Sequence, residues 1–161
     1  MQAAFYTCRQ LGPADFEAMR ALLGVFGEAF EDRATYTGRQ PDDAYLARFL
    51  AKEHVIAIAA FDGGEIIGGL VAYVLDKFEQ DRREIYIYDL AVLDAHRRRK
   101  VATSLIGELR TIADSRDCYV IFVQADLEDA PAIALYKSLG VQETAHHFDI
   151  HVGGAEAQKT P

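Results

Sequence analysis

The chain has 161 residues, 50% hydrophobic and 26% charged, which is the composition of one globular domain built around a single core. No apolar run reaches the roughly 20 residues needed to cross a bilayer, and two cysteines far apart exclude a disulfide-stapled scaffold or a cysteine-built metal site. A formal net charge of −8 argues against nucleic acid and anionic membranes as partners and suits a cationic one. Met1 to Thr7 lacks the basic start and long apolar core of a signal peptide, so a cytoplasmic location is expected. Ala4 to Arg9 reads as a short strand. Gly12-Pro13 then opens a helix in which Phe16, Met19, Leu23, Phe26 and Phe30 recur at steps of three and four. The polar segment from Glu31 to Gln40 reads as a loop, and Pro41-Asp42-Asp43 opens a second helix with Tyr45, Leu46, Phe49 and Leu50. His54 to Phe61 and Glu65 to Leu75 are β-rich runs joined by the turn Asp62-Gly63-Gly64, the pattern of an antiparallel hairpin.

After a charged link, Glu84 to Val92 is rich in β-branched and aromatic residues and reads as a central strand buried on both faces. It empties into the basic turn His96-Arg97-Arg98-Arg99-Lys100-Val101-Ala102. From Val101 the spacing of Leu105, Leu109 and Ile112 predicts an amphipathic helix. A strand feeding a basic turn that opens a helix presents unpaired backbone N–H groups and a favourable helix dipole, which suits phosphate. Tyr119 to Gln124 reads as a further strand. Asp129 and Pro131 start a helix carrying Ala132, Leu135, Tyr136 and Leu139 that stops at Gly140. Gln142 to Val152 alternates as a last strand, closing a single domain over residues 1–152 and leaving a polar tail over 153–161. Cys8 and Cys118 read as small buried residues, with no metal site. The whole order describes an α/β protein with a mixed sheet and a strand-helix-strand crossover from Glu84 to Gln124.

The run from Asp89-Leu90-Ala91-Val92 through Arg97-Arg98-Arg99-Lys100-Val101-Ala102 resembles the GNAT superfamily of acetyl-CoA-dependent N-acetyltransferases, whose pyrophosphate-loop motif is Q/R-x-x-G-x-G/A. Arg97 matches its first position and Ala102 its last, while Lys100 stands where glycine is usual. Lys100 therefore either turns its side chain outward or adds a charge to the phosphates. The stretch from Asp129 to Gly140 resembles the second signature, a helix with a leucine-tyrosine pair closing on glycine. Further blocks are similar to the small aminoglycoside 3-N-acetyltransferases of gentamicin-class resistance. These are Phe26-Gly27, Asp32, Ala34-Thr35-Tyr36, Gln40-Pro41-Asp42, Lys77 to Gln80, Glu84 to Val92, Val123 to Asp126 and His147 to Ile150.

This resemblance implies a GNAT fold with two parallel strands splayed at their C-terminal ends, acetyl-CoA as cofactor, a cationic aminoglycoside as substrate, and a homodimer. Leu90, Ala91 and Val92 would offer their backbone edge to the pantetheine arm. Arg97, Arg98, Arg99, Lys100, Val101, Ala102 and Thr103 would hold the pyrophosphate, with Asp129, Ala132 and Tyr136 also near the cofactor. Direct attack in a ternary complex needs a neutral amine, N–H donors at the thioester oxygen and a proton for the leaving sulfur. Tyr136 is the implied acid. Asp89, Glu84 and His147 are the candidates for proton handling at the amine, and Asp32, Tyr36, Asp89, Asp126 and Asp149 for holding the cationic substrate. Among them Asp89 stands out, because a carboxylate in an apolar strand is costly without a function or a partner. Polyamine or protein N-acetylation fits the same residues, as does a non-catalytic acetyl-CoA-binding module.

Overall fold

A sheet of β-branched and small residues carries the helices Phe16–Ala29, Asp43–Leu50 and Val101–Ser115. The computed structural model describes residues 6–153. Its strands are β1 (Tyr6–Gln10), β2 (Val55–Asp62), β3 (Glu65–Asp76), β4 (Arg83–Val92) and β5 (Cys118–Val123), in the spatial order β1-β2-β3-β4-β5. Neighbours pair antiparallel except β4 and β5, which are parallel. A parallel pair needs a crossover, and α4 (Val101–Ser115) supplies it.

Period-two alternation divides β2 and β3 between two covering layers. Ala57, Ala59, Val71 and Ala91 face α1 (Phe16–Ala29) and α3 (Asp43–Leu50), packing with Met19, Leu22, Phe26, Leu46 and Leu50. On the opposite parity Ile56, Ile58, Leu70, Ala72, Ile85 and Ile87 are buried, and α4 packs across all five strands with Leu105 and Leu109 fully buried. Gly69 is what lets α1 sit so close. A Cβ there would lie 2.5 Å from Leu22 Cδ1 and 2.7 Å from the Ile58 carbonyl oxygen.

Several expectations change. The apolar stripe of α1 that reaches the core is Met19, Leu22, Val25 and Phe26, while Leu23 is only partly buried and Phe30 is exposed. Both registers satisfy steps of three and four, and the room at Gly69 selects Leu22. The segment 31–40 is not all loop, since Asp32 caps a single-turn helix, α2 (Arg33–Tyr36), by accepting from the Thr35 N–H. β4 is neither central nor buried on both faces. It lies between β3 and the edge strand β5, with Tyr88 exposed. Cys8 and Cys118 are half-buried free thiols on β1 and β5, each raised in pKa chiefly by burial. The start of the first expected strand, Ala4 and Phe5, lies outside the described residues, as does the tail beyond Gly153.

The described residues up to Gln124 form one compact unit, and those from Ala125 form a second. In the second, α5 (Ala130–Leu139) starts at an Asp129 cap on the Ala132 N–H. The expected strand from Gln142 to Val152 is not formed. Its alternation suits a strand, but alternation alone makes no ladder hydrogen bonds, and Phe148, Ile150 and Val152 are exposed.

Candidate functional site

One extra residue in β4 decides which side chains reach the α1 face near its C-terminal end. Val71 of β3 pairs with Asp89 and the next residue, Ala72, with Ile87, so Tyr88 is bulged. Tyr86, Tyr88 and Asp89 consequently crowd toward one face, where strict alternation would have sent Asp89 to the other. The Tyr36 hydroxyl donates to Asp89 Oδ2 at 2.9 Å. Tyr36 is itself wedged among rings, 5.7 Å from Phe26 and 5.6 Å from Phe30. Burial raises the Asp89 pKa above the usual carboxylate value, and the Tyr36 hydrogen bond opposes that rise. Burial, reinforced by the Asp89 charge, holds the Tyr36 phenol well above its ordinary value.

The second feature is a fork in the sheet. Parallel pairing of β4 with β5 ends at Ile87↔Val123, while β4 continues to Val92 alongside β3. From Tyr88 to Val92, no described strand pairs with that edge of β4. Beyond it the chain makes a short 3-10 turn, Asp94–His96, and enters α4.

The basic turn is rigidly built. Arg98 and Lys100 both have φ of 62°, the left-handed region, with a non-left-handed Arg99 between them. Such alternation aims successive N–H groups into one concavity. Lys100 caps α4 by position only, its side chain making no cap hydrogen bond to the first turn. By contrast α2, α3 and α5 are capped by Asp32, Asp42 and Asp129. Arg99 Nη1 donates to Asp62 Oδ2 at 3.0 Å and lies 2.8 Å from His96 Nδ1, tying the turn to the end of β2. Tyr6 reinforces the tie, its hydroxyl donating to the Arg99 carbonyl at 3.1 Å and lying 3.0 Å from Ser104 Oγ. Arg97 pairs with Asp94 at 2.8 Å and reaches the Val92 carbonyl at 3.4 Å. Arg98 and Lys100 are exposed and bond no described side chain. The turn thus spends Arg97 and Arg99 on its own shape and leaves Arg98, Lys100 and the α4 N-terminus, with Val101 to Thr103, for an anion.

The other expected residues fall in separate places. Glu84 lies five residues before Asp89, about 17 Å along a strand, and accepts from Lys77 Nζ at 3.4 Å and the Tyr119 hydroxyl at 3.0 Å. Asp32 is partly exposed, and its Thr35 hydrogen bonds lower its pKa. In the second unit, the Asp126 carbonyl accepts from the Asp129 N–H. Burial, with the Asp129 charge, pushes Tyr136 up to about 12. His147 Nε2 lies 3.1 Å from Asp149 Oδ1, both side chains being exposed. Not anticipated is an aromatic group of Tyr73, Tyr86, Tyr88 and Phe122 beside Asp89. Two tyrosine hydroxyls, Tyr86 and Tyr88, in a strand read as buried on both faces were the available signal, since a buried phenol needs a partner.

Residues 19–141 match the Acetyltransferase (GNAT) family. A crystal structure of an aminoglycoside acetyltransferase, HMB0005, from an uncultured soil metagenomic sample is 56% identical with a TM-score of 0.90, covering 92% of this chain and 99% of that one. Another soil metagenomic aminoglycoside acetyltransferase, meta-AAC0020 in complex with sisomicin, is 27% identical with a TM-score of 0.85, covering 92% and 97%. N-acetyltransferase family 8 member 2 of Rattus norvegicus is 26% identical over 110 residues, 68% of this chain and 48% of that protein. The chain thus spans about half the length, or less, of the first curated relatives it matches.

Proposed function

The chain belongs to the GNAT acetyltransferase family, and on that premise we propose that it acetylates an aminoglycoside, at the 3-amine of the deoxystreptamine ring, and so confers resistance. The observation that carries this is Asp89, a half-buried carboxylate at the fork of the sheet, hydrogen-bonded by Tyr36 on one oxygen. Tyr36 occupies Oδ2, which leaves Oδ1 to hold an acceptor ammonium and take its proton. The solved aminoglycoside acetyltransferases that resemble the chain, one of them holding sisomicin, support that acceptor class.

GNAT acetyltransferases use acetyl-CoA, which when bound supplies an acetyl group activated as a thioester. The residues present fit it. The strandless edge from Tyr88 to Val92 offers backbone groups from Leu90, Ala91 and Val92 to an extended amide chain. The left-handed turn, with Arg98, Lys100 and the uncapped α4 N-terminus, offers N–H groups and charge to a pyrophosphate. Tyr136, in the second unit, keeps its proton at neutral pH, and the family resemblance assigns it the role of acid to the leaving sulfur.

The test compares acetyl-CoA consumption with gentamicin, spermidine and a lysine peptide, followed by NMR of the product. Gentamicin is expected to show by far the highest kcat/KM, with the acetyl group on the 3-amine. Preferred turnover of spermidine or the peptide would overturn the acceptor class. Acetylation at another amine would overturn the position alone, and no turnover with any amine would leave only a binding module.

A further inference from the structure

Four rings line the sheet beside Asp89. Tyr88 stands perpendicular to both Tyr73 and Tyr86, 5.9 Å from each, and Tyr86 stacks on Phe122 at 4.9 Å. The Tyr86 hydroxyl is anchored to Gln124 Oε1 at 3.1 Å. Yet Tyr88 remains 62% exposed, so packing does not explain it. The bulge that projects it forfeits a ladder position, and two supporting rings hold it still in front of solvent. Among the described residues the cation–π pairs are Arg9 on Phe61, Arg82 on Tyr119 and Arg99 on Tyr6, all away from these rings. The rings therefore present a π surface that no described cation covers, next to the carboxylate of Asp89. An aromatic surface beside a carboxylate matches an amino-substituted saccharide, whose C–H face packs on a ring while its ammonium meets π face and carboxylate.

We propose that Tyr88, braced by Tyr73 and Tyr86, is a specificity-determining surface that selects amines carried on a saccharide ring over amines on a linear chain. This rests on the aminoglycoside acceptor proposed above and names what distinguishes that acceptor from a polyamine of similar charge. Calorimetry on the protein loaded with CoA needs no turnover. Sisomicin and spermidine are titrated into wild type, Tyr88→Ala, Tyr88→Phe and Tyr88→Leu, with CoA affinity as the check on folding. Tyr88→Ala is expected to lose about tenfold in sisomicin affinity, the size of a partly desolvated cation–π contact. Its spermidine affinity should change less than about threefold, and Tyr88→Phe should keep sisomicin binding. Tyr88→Leu keeps apolar volume without a π face and should show the same loss, which covers the case of an unfolded alanine variant. Unchanged sisomicin binding in the folded variants, an equal loss for both amines, or a change in oligomeric state without loss of affinity overturns the proposal. Wild type that binds sisomicin through Tyr88 without acetylating it overturns acetyl transfer and leaves the surface standing.

Discussion

At position 89 a carboxylate follows two tyrosines and precedes Leu90 and Ala91, and its burial raises its pKa. The sign of the consequence follows from linkage. A carboxylate whose folded pKa lies above its unfolded one binds protons more tightly when folded, so it favours the fold at acid pH. That favour fades as pH rises through the folded pKa, and at neutral pH the ionised group is a cost. Asp89→Asn is therefore expected to raise Tm at pH 7, with the gain over wild type vanishing below the unfolded carboxylate pKa, while aminoglycoside kcat/KM falls by about 10² or more. Thermal unfolding across pH, paired with kinetics, checks both halves. Tyr36 gives a sharper sign. Its hydrogen bond opposes the rise at Asp89, so Tyr36→Phe should move the acid limb of the kcat/KM profile to higher pH. A residue that merely packed would lower the whole profile without moving the limb.

Among the elements, the loop into α4 states its own tension. Lys100 holds φ of 62° at the position where glycine is usual in the resembled motif, and an L-residue there costs about 1 kcal/mol. Lys100→Gly is expected to stabilise the protein by up to that amount, about 2–4 °C in Tm for a chain of this size. The same change removes an unpaired ammonium at the phosphate cradle, so CoA should bind more weakly. Unfolding curves and a CoA titration on one variant report the two effects separately. This turn was legible in the sequence because its geometry is local: a strand, a run of basic residues and a helix start are all set by near neighbours. The β2–β3 hairpin was legible for the same reason, through Gly63 and Gly64 at positive φ. β4 was not, because a bulge is a matter of register with β3, and no single-strand pattern records its partner's count. That hid the aromatic group and explains why Tyr86 and Tyr88 read as core. The stretch from Gln142 to Val152 misled in the opposite way, since alternation describes two faces but does not itself make the ladder hydrogen bonds that define a strand. Asp89 stood out from composition alone, whereas its partner Tyr36, 53 positions away, was placed only as a substrate contact.

Over the whole molecule, a net charge of −8 acts on any polycationic acceptor before contact. Raising NaCl from about 0.05 M to about 0.5 M shrinks the Debye length severalfold, so acceptor KM should climb several-fold while kcat holds. Steady-state kinetics across a salt series measures this, and a flat KM would assign recognition to short-range contacts alone. The fork between β4 and β5 reaches further than catalysis. Beyond Ile87 the sheet has a place for one more extended chain, and the proposed occupant is a metabolite rather than polypeptide. Part of the fold is then held together by something the cell makes and spends. Each tenfold excess of that metabolite over its Kd would add about 1.4 kcal/mol to unfolding, so the protein's lifetime would rise and fall with the supply of its own donor.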